Sequence, residues 1–443
     1  MSEPVSDPNQ NTELEEPAKQ GFVKRERDKQ SAASQQSTST VHIVIVELQY
    51  HNELLQNMYD TLSLLDFKLT FVTLPELMSK TNILTSGDSS KYSAELKRDD
   101  ESVKTFLKRM TPVFESADIL YFNTVRHYWE ELNQIPINVP GIVRIHNAHC
   151  DLAPLTHFKQ PFINVFGILS HLIRKVLIGG EWRLKQQFFA KNGYLMMPNQ
   201  VITDYVNAHQ WGKGFKILPP VLPFAYLAES KNDSETKVEE QQDRIVSIAI
   251  TGKVTNSKKD FDLVYRALKM SLPQLKCKLK LILLGNARDK HAKSILNNFK
   301  SLEGELFELD YSDAYVPQEV FDEKVKNVDF FIAPIKVKTH FRKYREVYGK
   351  SKMSGVENDI LLHRKPSLVI ADYPVSAPLD KVVDYFDSDA TSLSNKIIDW
   401  IAHNRPAQMK DAFNQMDSFK KEVIAENFYR LCLKLMEESK KQD

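Results

Sequence analysis

The sequence predicts two α/β domains, each a largely parallel sheet with helices on both faces, facing one another across a cleft and preceded by a disordered tail. Three observations predict this. Short, near-continuous apolar runs alternate with segments of helical period, and the alternation occurs twice along the chain. A proline-rich tract and a charged stretch separate the two series. The length of 443 residues is too great for one small core, and a hydrophobic content of 42% is enough to bury two.

Taken in order, residues 1–40 contain many Glu, Gln, Ser and Lys and few large apolar side chains, too little burial to offset the entropy of ordering, so a disordered tail is expected. Order should begin at Val41, where VHIVIV reads as a buried strand. A helix over Asn52 to Leu65 and a strand over Leu69 to Thr73 would complete a βαβ opening. ADILYF from Ala117, GIVRIH from Gly141 and GYLMM from Gly193 continue the strands, and Gln200 to His209 reads as a helix. The tract FKILPPVLPF, with three prolines, ends this series, and the charged stretch Glu229 to Asp243 follows it. RIVSIAITGK from Arg244 opens the second series, which runs through a helix from Phe261 to Leu268 and the strands LKLILLG, VDFFIAP and SLVIA. Helical periodicity fills Gln408 to Glu438. The expected organisation is a Rossmann-like domain over 41–222, a linker over 223–243, a second Rossmann-like domain over 244–405, and a helical end over 406–443 that packs back across the domains.

Composition excludes several classes. A net charge of +1 argues against a general nucleic-acid binder. The three cysteines, Cys150, Cys277 and Cys432, are far apart and show neither a metal-ligand spacing nor a disulfide framework, which suits a reducing, cytoplasmic setting. The polar N-terminus has no secretory h-region, and no run of about 18 apolar residues would span a membrane. No GxSxG elbow, HExxH helix or P-loop string is present. Asp387, Ser388 and Asp389 form a DxD triplet beside VVDYF, better read as a solvated turn than as a metal site, so metal dependence is not expected. Phe162 to Phe189 mixes apolar residues with His171, Arg174, Lys175, Arg183 and Lys185. Core packing is the ordinary meaning of such a helix, and contact with an anionic membrane surface is the alternative.

The chemistry is concentrated in EVYGKSKMSGVENDILLHRKP, Glu346 to Pro366, between the strands VDFFIAP and SLVIA. A loop here feeds a helix, and Gly349, Lys350, Lys352, Ser354 and the amides around Gly355 would meet an anion where helix donors are unpaired and the dipole favours negative charge. Asp359 follows one turn later, in reach of a hydroxylated group attached to that anion. Phosphate beside sugar suggests a nucleotide. The competing reading is a solvated, Ser-capped loop.

On these residues the C-terminal half resembles the nucleotide-sugar domain of GT-B glycosyltransferases, in particular the large retaining group that includes sucrose- and glycogen-synthase-like enzymes. That group has Gly-Arg-Leu after a strand and a Lys five residues beyond the Arg; here Gly252, Lys253 and Val254 are followed by Lys258, so Lys stands for Arg and the bidentate fork is lost. LILLG and YVPQEVF, with Tyr315 and Val316 in the loop that contacts the base, resemble the next landmarks in order. The resemblance implies that Lys253, Lys258, Lys350 and Lys352 hold a diphosphate. The family's paired acids have seven residues between them, but Ser354 stands at that interval from Glu346; counting back from Lys365 and Pro366 places Asp359 as the ribose-binding acid after a longer loop. Glu346 would then lie near the transferred sugar or serve as a base, with a solvated loop acid as the alternative. In the N-terminal half, taken as the acceptor side, His146 sits where the family places a His near the donor sugar, or else is a hydrogen-bonded strand-end histidine; Asn147 and His149 would contact acceptor or sugar.

The resemblance implies a hexosyl-type transfer from a nucleoside-diphosphate sugar to a hydroxyl of a glycan or lipid-linked acceptor, of the kind used in polysaccharide biosynthesis. The implied course is retaining, without metal or other cofactor. Inversion follows instead if Glu346 is a general base. A nucleotide-sugar epimerase or hydrolase, and a non-catalytic sugar-nucleotide-binding subunit, remain open.

Overall fold

The computed structural model describes residues 40–86, 90–154, 180–229, 244–341 and 344–441, together with Ile173 and Ile178. The tail expected over 1–40, apart from Thr40, and the charged stretch beyond Glu229 lie outside the described residues.

The first sheet contains β1 (Val41–Glu47), β2 (Phe67–Thr73), β3 (Tyr92–Leu96), β4 (Ile119–Thr124), β5 (Gly141–Arg144), β6 (Gly193–Met196) and β7 (Lys216–Leu218). Its order is β3-β2-β1-β4-β5-β6-β7, parallel throughout. The second contains β8 (Ile245–Thr251), β9 (Lys278–Asn286), β10 (Phe307–Ser312), β11 (Phe330–Ala333), β14 (Ser367–Ile370) and β15 (Val383–Phe386), in the order β10-β9-β8-β11-β14-β15, again parallel. Each sheet reverses its winding once, between β1 and β4 and between β8 and β11, and a crevice opens at the carboxyl ends of strands at such a point.

VHIVIV is apolar almost throughout because β1 is covered on both faces. Val44 and Val46 pack with Leu120, Phe122 and Phe188, while Val41, Ile43 and Ile45 pack with Leu69, Phe71 and Phe428 on the other side. The period of two thus feeds two cores.

Sequence pattern missed elements that lack this double burial. β3 is half-buried along its length, β7 has three residues inside the proline-rich tract, and β10 mixes in Glu308 and Asp310. A small antiparallel hairpin, β12 (Lys338–Phe341) with β13 (Tyr344–Val347), projects from the second sheet's side of the molecule and is too polar to announce itself. The helix expected over Gln408 to Glu438 is broken into Arg405–Lys410, two 3-10 turns and a final helix Lys421–Lys440. Phe413 and Met416 enter the second core while Ile424, Phe428, Cys432 and Leu435 enter the first, and the break between them lets the segment reach both.

Candidate functional site

The two crevices open into one cleft of about 1870 Å³, walled by both sheets and by Phe224, Ala225 and Tyr226 of the connecting segment. The second sheet's wall begins where β8 meets its neighbour. Gly285 passes so close to Gly252 that a Cβ on it would fall 2.1 Å from the Gly252 carbonyl oxygen. Gly252 itself has φ +83°, and a Cβ there would sit 3.0 Å from Lys259 Nζ, so glycine at both positions lets two backbones and an ammonium crowd together.

Below this turn the helix Gly355–His363 starts at Ser354, whose hydroxyl accepts from the Val356 amide and whose own amide donates to the Tyr373 hydroxyl at 3.1 Å. Ser354, Gly355 and Asp359 line the cleft, as do Lys352 and the ring of Tyr315, which is 76% exposed. The Asp359 carboxyl sits on the Thr251 hydroxyl at the end of β8; burial pushes its pKa up to about 6, opposed by that bond and by the Lys259 ammonium. Burial pushes Lys259 down to about 8, with Asp359 acting the other way and Lys258 adding to the fall. Lys352 is likewise driven down to about 8, chiefly by burial, with Glu346 opposing and Arg126 and Lys258 contributing. Its ammonium donates to Asn147 Oδ1 at 2.5 Å and lies 5.3 Å from the Phe341 ring centre.

The first sheet's wall is built differently. Glu47 at the end of β1 is fully buried; it accepts from the Gln49 amide at 2.9 Å and from Asn123 Nδ2 at 2.8 Å, and burial raises its pKa. His146, just past β5, pairs Nε2 with the Asn123 carbonyl at 2.7 Å, and burial holds it well below its usual pKa, so it is a neutral imidazole donating from Nε2. His51 stacks on it with centroids 5.0 Å apart and an interplanar angle of 5°. His51, His146 and Arg126 line the cleft. The Arg126 guanidinium lies over Phe341 at 4.5 Å and Tyr50 at 5.4 Å.

The structure brings together His146, Tyr315, Lys352, Ser354, Gly355 and Asp359 from the sequence reading. The others go elsewhere. Glu346 is 1% exposed and turned away from the cleft: its carboxylate accepts from the Cys150 amide at 2.9 Å, the His149 amide at 3.4 Å and the Ser351 hydroxyl at 2.5 Å. Burial raises it to about 8, against those bonds. Asn147 and His149, read as acceptor-side, belong to the same joint between the sheets. Asn147 receives Lys352, and His149 pairs Nδ1 with the Arg345 carbonyl and Nε2 with the Tyr205 hydroxyl. The amide of Ala148 adds a bond to the Ser351 carbonyl at 2.8 Å. The β12–β13 hairpin is the reason, because it carries Glu346 across to the first sheet. Lys253 is exposed and ion-paired with Asp289 at 3.0 Å, Lys350 and Lys258 are exposed, and Gly349 (φ +77°) shapes the tight turn behind them. Val316 lies beside Tyr315 but off the cleft surface.

Sequence reasoning missed His51 and Arg126 on the cleft, and Lys259, which lies behind the lining beside Asp359. Lys259 is one residue from the spacing that selected Lys258. His51 and Arg126 each follow a strand that borders the reversal of winding, and that rule alone would have pointed to them. Among the described residues, no three His, Cys, Asp or Glu side chains converge as a metal site. The basic segment 162–189 is described only in part. There Lys185 is buried and donates to the Cys150 carbonyl and to Asp151, while Phe188 and Phe189 pack on Trp129. No described helix is long and apolar enough to cross a membrane.

No family model matches the chain, and no curated protein sequence matches it. Solved structures do. The chain is similar to HepE of Anabaena, a structure in complex with UDP and glucose, at 12% identity and TM-score 0.52, covering 88% of this chain and 99% of that one. It is similar to the N-terminal domain of a trehalose-6-phosphate phosphatase from Candida albicans at 10% identity and TM-score 0.54, covering 90% and 98%. An α,α-trehalose-phosphate synthase (UDP-forming) from Burkholderia vietnamiensis gives 8% identity and TM-score 0.54, covering 89% and 100%. At these identities the likeness establishes the fold: a GT-B arrangement of two Rossmann-like sheets about a cleft.

Proposed function

We propose that this protein is a glycosyltransferase that takes a sugar from a nucleoside-diphosphate donor and passes it to a hydroxyl acceptor, a glycan or lipid-linked saccharide. One observation carries the reading: the N-terminus of the Gly355–His363 helix, Lys352 and Asp359 line the same cleft as His51, His146 and Arg126 of the opposite side. HepE, with the same fold, was solved with UDP, which supports a sugar nucleotide as donor.

In this reading the Gly355 amide and the ammonium groups of Lys352 and Lys259 meet the diphosphate, with Lys258 adding positive potential. Asp359 accepts from the ribose hydroxyls, and the exposed Tyr315 ring covers the base. As the sugar–oxygen bond breaks, charge accumulates on the leaving diphosphate, and cations already in place stabilise it without further reorganisation. Holding donor and acceptor in one cleft supplies much of the remaining acceleration. An anion beside Lys352 and Lys259 restores the protonation that burial weakens, so donor binding should take up protons near pH 8.

A thermal-midpoint screen with UDP, GDP, ADP and CMP sugars tests the donor assignment. A ligand at 100 times its Kd stabilises by about 2.7 kcal/mol, and one nucleotide series should raise the midpoint accordingly. No response to any of them at millimolar concentration would overturn it. The withdrawal of Glu346 from the cleft favours a second reading, a sugar-nucleotide-binding subunit without turnover. Donor binding without transfer to any of a broad set of hydroxyl acceptors would select that one.

A further inference from the structure

We infer that Tyr373 and Glu357 are positioning residues for the donor's diphosphate: buried beneath the helix start, they hold the Gly355 amide and the turn before Lys352 where linked phosphates can be met. The inference rests on the donor reading above and adds to it the residues on which the grip on phosphate depends.

Tyr373 follows β14 and is fully buried, so its hydroxyl has to find partners inside the fold. It donates to the Glu357 carboxyl, itself 3% exposed, and accepts from the Ser354 amide at 3.1 Å. A hydroxyl that accepts on one side and donates on the other fixes both neighbours in direction. The Ser354 hydroxyl takes the Val356 amide at 3.4 Å, and its carbonyl takes the Glu357 amide at 3.3 Å. Ser354, Val356 and Glu357 thus commit their amides within the turn, while Gly355, between them, lines the cleft.

The next residue seats the cation. A Cβ on Gly349 would fall 2.6 Å from Pro374 Cδ, so the turn that leads to Lys352 rests directly on Pro374. The Gly349 amide closes that turn onto the Lys352 carbonyl at 2.8 Å. One short segment after β14 therefore supports both the amide and the ammonium group.

Glu357 carries the arrangement across to the first sheet. Its other oxygen lies 3.5 Å from Nδ2 of Asn199, whose own Oδ1 caps the helix Gln200–Ala208 by accepting from the Ile202 amide at 3.0 Å. Ser376 adds further bonds to the same carboxyl. An apolar side chain would fill this space without the cost of burying a carboxyl, so what Glu357 contributes is direction rather than packing. Hydrogen bonds to an anion weaken steeply with misalignment. Loosening the turn therefore lowers affinity for phosphate and leaves the Tyr315 ring and the Asp359 carboxyl, held by Thr251, as they are.

The test uses the full chain with two probes, UDP by calorimetry and uridine by NMR titration; if the screen selects another base, the corresponding diphosphate and nucleoside replace them. Tyr373→Phe keeps the buried ring and removes the hydroxyl. It should weaken UDP binding about tenfold while uridine binds within about twofold of the wild type. Asn199→Ser keeps a capping oxygen for the Gln200–Ala208 helix and removes the Nδ2 group, and should weaken UDP about threefold, again without effect on uridine. It carries the test if Tyr373→Phe does not fold. Glu357→Gln, which keeps an oxygen for the Tyr373 hydroxyl, should retain more UDP affinity than Glu357→Leu. UDP affinity within about twofold of the wild type in the variants that fold, or an equal loss for UDP and uridine, overturns the assignment. If the wild type binds no sugar nucleotide, the donor reading fails and this inference falls with it. Wild-type UDP binding that these variants leave untouched would sink only the latter.

Discussion

The two sheets follow the same winding order over their first six strands and meet the cleft with the same ends of their strands, yet they present different chemistry there. At the first reversal of winding, the groups are Glu47 with a raised pKa, Asn123, neutral His146, His51 with a buried unpaired nitrogen, and Arg126. The second presents two close-packed glycines, two partly buried ammonium groups and a helix N-terminus. Topology makes a crevice in each case, whereas residue choice decides that one carries lysines and a helix N-terminus and the other two imidazoles, an amide and the Arg126 guanidinium.

The sharpest way to break this comparison is Lys352→Ala. Loss of a charge-assisted contact to a diphosphate should weaken UDP binding by about ten- to hundredfold, read by calorimetry. Unchanged affinity would mean the second wall is not the anion side. Gly285→Ala comes next and acts on stability. Its Cβ would meet the Gly252 backbone at 2.1 Å, so the strand ends must separate, at about 1–3 kcal/mol and several degrees of melting temperature. The matched change Gly304→Ala, with open space around its Cβ position, should cost far less.

The joint between the walls gives a pH signature. Glu346 is raised to about 8, Glu357, which accepts from the Asn199 amide and the Tyr373 hydroxyl, to about 7, and Asp359 to about 6, each chiefly by burial. Above about pH 4.5 the unfolded chain has released these protons while the folded chain holds each up to its own value, so stability falls as pH rises to about 8. Below about pH 4.5 both states are protonated and the effect vanishes. Melting temperature should decline from pH 5 to pH 8, and Glu346→Gln should flatten the decline; an unchanged slope in that variant would remove Glu346 from the account.

The smallest expected effect sharpens the contrast within one wall. Lys253 is an exposed ion-pair partner of Asp289, and Lys253→Ala should alter stability by less than about 1 kcal/mol and UDP affinity by less than threefold. Lys259→Met should weaken UDP binding well beyond that. The reverse ranking would restore the lysine that spacing alone selected.

How far each part was legible follows from burial. VHIVIV, LILLG and VDFFIAP were readable because strands covered on both faces must be apolar at nearly every position. The hairpin β12–β13 was not, since residues such as Lys338 and Arg345 are half in solvent and its form depends on reaching the first sheet. The lysine-bearing side of the cleft was partly legible, because a Ser-Gly helix start flanked by lysines and followed by Asp359 is a local pattern. On the opposite side only His146 was named, through the resemblance, whereas His51 and Asn123 were not, because the three come from strand ends far apart in the chain.

Glu346 shows the limit most clearly. Its neighbours in sequence suggested a sugar contact, and its neighbours in space are the amides of His149 and Cys150. Apolar periodicity, a linear property, determined the number and class of the layers and the place of the helix start. Which carboxylate faces the cleft, which lysine reaches it and which histidine keeps an unpaired nitrogen were decided only when two sheets packed together, because hydrogen-bond partners and burial belong to the assembled fold.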